Sequence, residues 1–249
     1  MMQLSGNTIL VTGGGTGIGR GLAEALHARG NRVIIAGRRG SLLAEVAAAN
    51  PGMAWIELDI ADAQSIAAAV AALIADHPAL NVVINSAGIQ RLETNDGPID
   101  DELLTATVAT NLLGPIRLSS ALIPHFRTLD RATIVHVSSM LAYLPLAAVS
   151  VYCATKAALH SFVMSQRYTL RDTSIEVLEI APPYVQTPLL NGESDPRAMP
   201  LDQFIAETME VLATDAQEVL VPIAKARRDA LRQDEVAKMT AFNAMMADI

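Results

Sequence analysis

Thr8-Ile9-Leu10-Val11-Thr12-Gly13-Gly14-Gly15-Thr16-Gly17-Ile18-Gly19-Arg20 decides how this chain is read. A short run of β-branched and aliphatic residues passes directly into a glycine-rich turn, and a helical pattern follows from Gly19. Glycines let the backbone turn tightly and come close to an anion. The next helix aims its free N–H groups and the positive end of its dipole at the same point. In this strand–turn–helix context Gly13, Gly15, Thr16, Gly17, Ile18 and Gly19 read as a phosphate-binding loop for a nucleotide.

The alternation continues along the chain. Apolar runs at 32–36, 54–58, 81–85, 132–138, 176–180 and 218–222 predict strands; alanine- and leucine-rich patterns at 19–29, 41–50, 62–77, 101–128 and 151–173 predict helices. Strands that are continuously apolar, rather than alternating, imply a parallel sheet covered on both faces. With right-handed crossovers the expected fold is α/β, a Rossmann-type doubly wound parallel sheet of about seven strands with helices on both faces, as one domain over 1–249. The stretch 188–200, with Asn191-Gly192, Asp195-Pro196 and Met199-Pro200, has the composition of a linker. Long connections in compact domains tend to be lids, so 188–205 is expected to cover a substrate. Val236, Met239, Phe242 and Met246 recur at helical spacing, which predicts an amphipathic helix over 225–249.

Composition narrows the partners. The 249 residues are 51% apolar with a net charge of −8, which argues against a nucleic-acid or anionic-membrane surface. The apolar run 66–75 is too short to span a bilayer. The single Cys153 allows neither an intramolecular disulfide nor a cysteine metal site. A strand-like run almost at the first residue leaves no room for a signal peptide, so a cytoplasmic location is expected.

In such a sheet, ligands bind beyond the carboxyl ends of the strands. The second predicted strand ends Ala36-Gly37-Arg38-Arg39. An acid at Gly37 would accept from an adenosine ribose; two guanidiniums follow instead, and arginine pairs well with a 2′-phosphate. NADP(H) is therefore expected over NAD(H). Asp59 and Ile60 end the third strand and are expected beside the adenine, although Asp59 serves equally as a cap for the helix near Asp62. In Asn85-Ser86-Ala87-Gly88, small residues keep a cleft open for a flat cofactor, so Asn85, Ala87 and Gly88 join the cofactor set. Ser139 ends the fifth strand, thirteen residues before Tyr152. Tyr152 and Lys156 fall one helical turn apart on one face. A free tyrosine, with a pKa near ~10, is a poor acid or base at neutral pH, and a lysine ~4 Å away contributes about the ~4 kcal/mol needed to bring it to ~7. Asn111 sits inside a long predicted helix, where Asn is a mediocre former, and a buried polar role is plausible. His125, His136 and His160 read as structural. No histidine–carboxylate cluster with ligand spacing is visible, so no metal is implied.

In this order and spacing, Gly13/Gly17/Gly19, Asn85-Ser86-Ala87-Gly88, Asn111, Ser139 and Tyr152 with Lys156 resemble the short-chain dehydrogenase/reductase family, over roughly residues 5–222. The resemblance implies that Tyr152 is the general acid/base and that Ser139 orients a carbonyl. It also implies that Lys156 binds the nicotinamide ribose and lowers the tyrosine pKa, and that Asn111 holds a water in a relay to Lys156. Tyr152 to Phe162, with Leu170-Arg171-Asp172-Thr173 and Ala181-Pro182-Pro183-Tyr184, also looks like a bacterial subgroup of short-chain oxidoreductases. That subgroup carries a lipoteichoic acid D-alanylation label, which reflects operon context and says little about the reaction. Pro183 stands where the family usually has glycine; Pro182, Val185 and Thr187 match positions expected beside the carboxamide. The expected activity is an NADP(H)-dependent carbonyl reductase or alcohol dehydrogenase. Met140, Leu141, Tyr143, Leu144 and Tyr184 would make its substrate side apolar. The family forms homodimers and homotetramers through the helices expected here at 101–128 and 151–173. One alternative is a catalytically silent NADP(H)-binding regulator; another is a sugar-nucleotide epimerase or dehydratase, for which the chain is short.

Overall fold

The computed structural model describes residues 2–93, 97–189 and 195–231. The glycine turn joins β1 (Thr8–Thr12) to α1 (Gly17–His27). There follow β2 (Arg32–Gly37), α2 (Gly40–Ala49), β3 (Ala54–Glu57), α3 (Ala63–Asp76), β4 (Leu80–Asn85), α4 (Asp101–Val108), α5 (Gly114–Phe126), β5 (Ala132–Val137), α6 (Ser150–Leu170), β6 (Ile175–Ile180), α7 (Leu201–Leu212), β7 (Glu218–Val219) and α8 (Pro222–Leu231). The strands form one parallel sheet in the order β3-β2-β1-β4-β5-β6-β7. The order reverses between β1 and β4, and that reversal opens the crevice in which the site lies.

Side chains alternate across each strand into two apolar layers. Ile9 and Val11 of β1 join Leu22 and Leu26 of α1 and Phe204 and Leu212 of α7 on one face. Leu10 joins Leu73 of α3, Leu118 and Phe126 of α5 and Val163 of α6 on the other. Both faces are dry, which is why β1, β4 and β5 are buried at every position and read as unbroken apolar runs. Segment 147–170, containing α6, is long and apolar enough to cross a membrane. Here its inner face carries Lys156, His160 and Gln166 against β5 and β6.

Three elements differ from the sequence expectation. The helix expected over 101–128 is divided by a π-turn at Ala109–Leu113. Pro115 has no N–H to give the carbonyl four residues back, that of Asn111, so the α-ladder is interrupted there. α7 was not predicted. Its buried residues Phe204, Thr208, Met209 and Leu212 recur at helical spacing, but the stretch before them reads as a linker. Leu201 to Ile205, expected within the 188–205 cover, belong instead to this core helix, and 190–194 of that expectation lie outside the described residues. The feet of the segment are tied together: Val185 and Met199 form a β-bridge, and Gln186 N donates to Met199 O at 2.8 Å. β7 ends early because Pro222 opens α8, so the expected C-terminal helix begins before 225. The remainder of that expectation, 232–249, lies outside the described residues.

Candidate active site

The phosphate end of the crevice is fixed by the ends of β1 and β4. Gly13 adopts φ 68°, and a Cβ there would lie 2.9 Å from Ala87 Cα, so neither its conformation nor its surroundings accept a side chain. Thr12 Oγ1 accepts from Ser86 N and Ala87 N, both at 3.1 Å, which locks the two strand ends side by side. No described side chain caps α1, so its first-turn N–H groups open onto the crevice, a donor set that fits a diphosphate. Arg39 Nη2 lies 3.5 Å from Thr16 Oγ1, which brings a guanidinium to the same rim.

A cleft of about 1210 Å³ runs from this loop to the carboxyl end of β5. Gly13, Gly15, Thr16, Gly17, Ile18 and Gly19 line one end, with Arg38, Arg39 and Ile60 beside them. Ala87 and Gly88 line the middle; Ser139, Tyr152, Lys156, Pro182, Val185 and Thr187 line the other end. Three residues expected here lie outside the lining. Asp59 turns back on its own loop, Oδ1 accepting from Ala61 N at 3.0 Å, while the cap of α3 is Asp62. Asn85 is buried behind the lining, with Nδ2 3.5 Å from His136 Nδ1. Asn111 also sits behind it. Its Oδ1 accepts from Ile89 N and its Nδ2 donates to Ile89 O, both at 2.8 Å, so the side chain splints the segment after Gly88.

At the far end, α6 presents Tyr152 and Lys156 to the cleft. The start of α6 is held by Glu93, whose Oε1 accepts from Ser150 Oγ at 2.7 Å and from Val151 N at 2.5 Å. Ser139 caps the short turn after β5, its Oγ accepting from Leu141 N at 3.1 Å, and its hydroxyl faces the Tyr152 phenol. Lys156 Nζ donates to Val137 O at 2.8 Å and lies 5.5 Å from the Tyr152 ring centroid. The sequence expectation that Lys156 lowers the tyrosine pKa is not met in this arrangement. Burial pushes Tyr152 up to about 12, against the opposing hydrogen bond of Ser139, because the ammonium is directed at a backbone carbonyl instead. Burial lowers Lys156 to about 8, and the charge of Glu179 opposes the fall.

Behind these groups lies a buried network that sequence reasoning missed. Glu179 of β6 is fully buried, accepts from Ser138 Oγ, and accepts from His160 Nδ1 at 2.7 Å. The Tyr143 hydroxyl is 3.2 Å from His160 Nδ1, and Arg228 of α8 stacks over the Tyr143 ring and reaches Glu218 Oε1 at 3.4 Å. His160, Glu179 and Glu218 thus come within 4.8 Å of one another, although no such cluster is legible in the sequence. Glu179 is engaged by His160 and Ser138, and Glu218 by Arg228, so the group reads as a charge network. Its one signal was a glutamate inside the apolar strand Ile175–Ile180.

On the substrate side Met140, Leu141 and Tyr184 line the cleft as expected, joined by Leu92 and Leu146. Tyr143 does not, because it turns into the buried network, and Leu144 lies at the surface outside the lining. Asp195 joins Tyr184, whose hydroxyl donates to it at 3.1 Å, to Arg197, whose hydrogen bonds hold the carboxyl far below its usual range.

Residues 7–198 match the family model for short chain dehydrogenases. The chain is 38% identical over 239 residues to the uncharacterized oxidoreductase DltE of Bacillus subtilis, covering 94% of this chain and 95% of that protein. It is 33% identical over 196 residues to an NADP-dependent 3-hydroxy acid dehydrogenase of Schizosaccharomyces pombe, covering 75% and 74%. Among solved structures, a short chain dehydrogenase from Burkholderia cenocepacia in complex with NADP superposes with a TM-score of 0.81 at 26% identity, covering 98% of each chain. The phosphate loop at the β1–β4 reversal and the Ser139, Tyr152 and Lys156 end of the cleft therefore have a family setting: this chain belongs to the short-chain dehydrogenase/reductase family.

Proposed function

We propose that this oxidoreductase is an NADP(H)-dependent carbonyl reductase/alcohol dehydrogenase acting on an apolar ketone, aldehyde or secondary alcohol. The observation that carries the reading is one continuous cleft joining the phosphate loop to Ser139, Tyr152 and Lys156. A nicotinamide cofactor, when bound, supplies or accepts the hydride. Tyr152 gives the proton to the carbonyl oxygen, and Ser139 shares that oxygen and orients it. Burial pushes Tyr152 up to about 12, so the phenol carries its proton through the neutral range, the form that reduction of a carbonyl uses. Lys156 offers N–H donors for ribose hydroxyls. Arg38 and Arg39 offer paired donors and positive charge for a 2′-phosphate, and this supports NADP(H). Met140, Leu141, Leu92 and Leu146 make the substrate side mainly apolar. A homodimer or homotetramer and a cytoplasmic location belong to the same proposal.

The test is NADPH oxidation against a panel of aldehydes, ketones and keto-esters. Tyr152→Phe should lower kcat by at least ~100-fold with NADPH affinity retained. Turnover that survives in Tyr152→Phe removes the assignment of the acid. Tight NADPH binding with no turnover of any panel compound would favour the silent regulator, which the intact Ser139, Tyr152 and Lys156 speak against. Conversion without net redox change would point to an epimerase.

A further inference from the structure

Three consecutive residues at the end of β5 hold the reactive end of the cleft. Val137 O accepts from Lys156 Nζ at 2.8 Å, Ser138 Oγ donates to Glu179, and Ser139 faces the Tyr152 phenol. The middle residue is thus tied to β6 by side chain and backbone, since Ser138 N also donates to Ile180 O at 2.8 Å. We propose that Glu179 is the positioning residue of this site. Through Ser138 it fixes the strand end that presents Ser139 and receives Lys156, and its buried negative charge is the counter-charge of the Lys156 ammonium.

The surroundings of Glu179 are specific. Ser138 at the end of β5 and His160 of α6 bond to it directly; Glu218 of β7, with its partner Arg228 of α8, comes within 4.8 Å of it; and His136 of β5, Lys156 and Arg167 of α6 and Tyr143 of the turn after β5 feel its charge. Burial pushes the Glu179 carboxyl up, but His160, Ser138 and Arg167 together outweigh it and hold the group below its usual range. It is therefore a carboxylate at neutral pH. A carboxylate only accepts, so His160 carries its proton on Nδ1. One oxygen is left for Ser138 and one for His160, which fixes the carboxylate plane between β5 and α6. His160 lies one turn beyond Lys156 on α6, so the same contact also sets the rotation of the helix that presents Tyr152 and Lys156.

The inference concerns the site of the proposed reaction, but its decisive test needs no turnover. The chain has three lysines, Lys156, Lys225 and Lys238, so ε-¹³C-labelled lysine gives three NMR signals whose titrations are separable in the cofactor-free protein. In the wild type the Lys156 signal should titrate near about 8. Glu179→Gln keeps the shape and removes the charge, and should lower that midpoint by at least about 1 pH unit. Glu179→Asp keeps the charge and should leave it near the wild-type value. Ser138→Ala should also leave the midpoint in place, while kcat on any panel compound that turns over falls at least about tenfold through the lost tether. The alkaline limb of the Glu179→Gln rate profile should move to lower pH with the lysine, whereas a merely structural role would lower its height and leave the limb where it was. An unmoved Lys156 midpoint in Glu179→Gln overturns the proposal. So does a Ser138→Ala protein that keeps the wild-type kcat, which tests the tether without touching the charge. A protein inactive on the whole panel but showing the lysine shift would refute the reaction and leave the role of Glu179 standing.

Discussion

The proposed preference for NADP(H) rests on a few atoms at the end of β2. Gly37 contributes no carboxylate, and Arg38 and Arg39 follow it into the lining of the cleft. Arg39 occupies the N-cap position of α2, and its guanidinium reaches Thr16 at the mouth of the phosphate loop. A hydrogen bond to a charged group is worth about 1.5–3 kcal/mol, so replacing one such arginine should cost about 10- to 100-fold in affinity for a phosphate-bearing ligand. Arg38→Asp should therefore weaken NADPH binding by that factor and leave NADH within about threefold, measured as Kd by cofactor fluorescence. Equal losses for the two cofactors would mean that Arg38 supports the loop and does not read the 2′ position. Comparable catalytic efficiency of the wild type with NADH and NADPH would remove the preference itself.

Elements were legible where the two apolar layers impose their pattern. β1 was bounded in the sequence because Thr8–Thr12 is buried throughout and Gly13 can only turn. That Ser139, Tyr152 and Lys156 meet in one cleft was legible because a strand end and the following helix share the carboxyl edge of the sheet. Asp59 and Asn85 were misplaced because a side chain's direction depends on partners that come from other elements: the Ala61 amide for one, His136 of β5 for the other. The Glu179 network joins positions from β5, α6, β6, β7 and α8, and a glutamate inside an apolar strand is its one local sign. α7 was hidden by the prolines and glycine before it, yet it is an anchored element. A Cβ at Gly21 of α1 would lie 2.8 Å from Ile205 Cγ1, so the two helices touch almost backbone to side chain. Phe204, at 1% exposure, fills the layer between α7 and the sheet. Phe204→Ala should then cost about 3–5 kcal/mol, seen as a lower urea midpoint with an unchanged slope. A cost below about 1 kcal/mol would mean that α7 docks loosely and that the segment tied at Val185 and Met199 has no firm foot.

Stability of the whole molecule is coupled to pH through a histidine at the centre of the sheet. His136 is fully buried in β5, with Nε2 3.0 Å from Gln166 Oε1 and Nδ1 3.5 Å from Asn85 Nδ2. A ring that donates from Nε2 and accepts at Nδ1 is neutral. Burial lowers His136 from 6.5 to about 4, with Lys156 and Arg167 reinforcing the fall and Gln166 and Glu179 opposing it. The sign follows from proton counting: between those two values the unfolded chain holds a proton that the folded protein lacks, so stability falls as pH falls through this window. The full interval corresponds to about 3 kcal/mol, a large part of a typical folding free energy of ~5–15 kcal/mol. Glu179, held below its usual range, adds to acid destabilisation only at lower pH, as its proton returns. The two groups therefore act in successive windows, His136 first. Urea unfolding followed from pH 7.5 to 4.5 should show the wild-type midpoint falling from about 6.5 downward. His136→Asn, which cannot titrate, should start from a lower stability and show a flatter limb over the same interval. If His136→Asn keeps the full wild-type slope, the acid sensitivity belongs to other groups and the sheet centre does not control it.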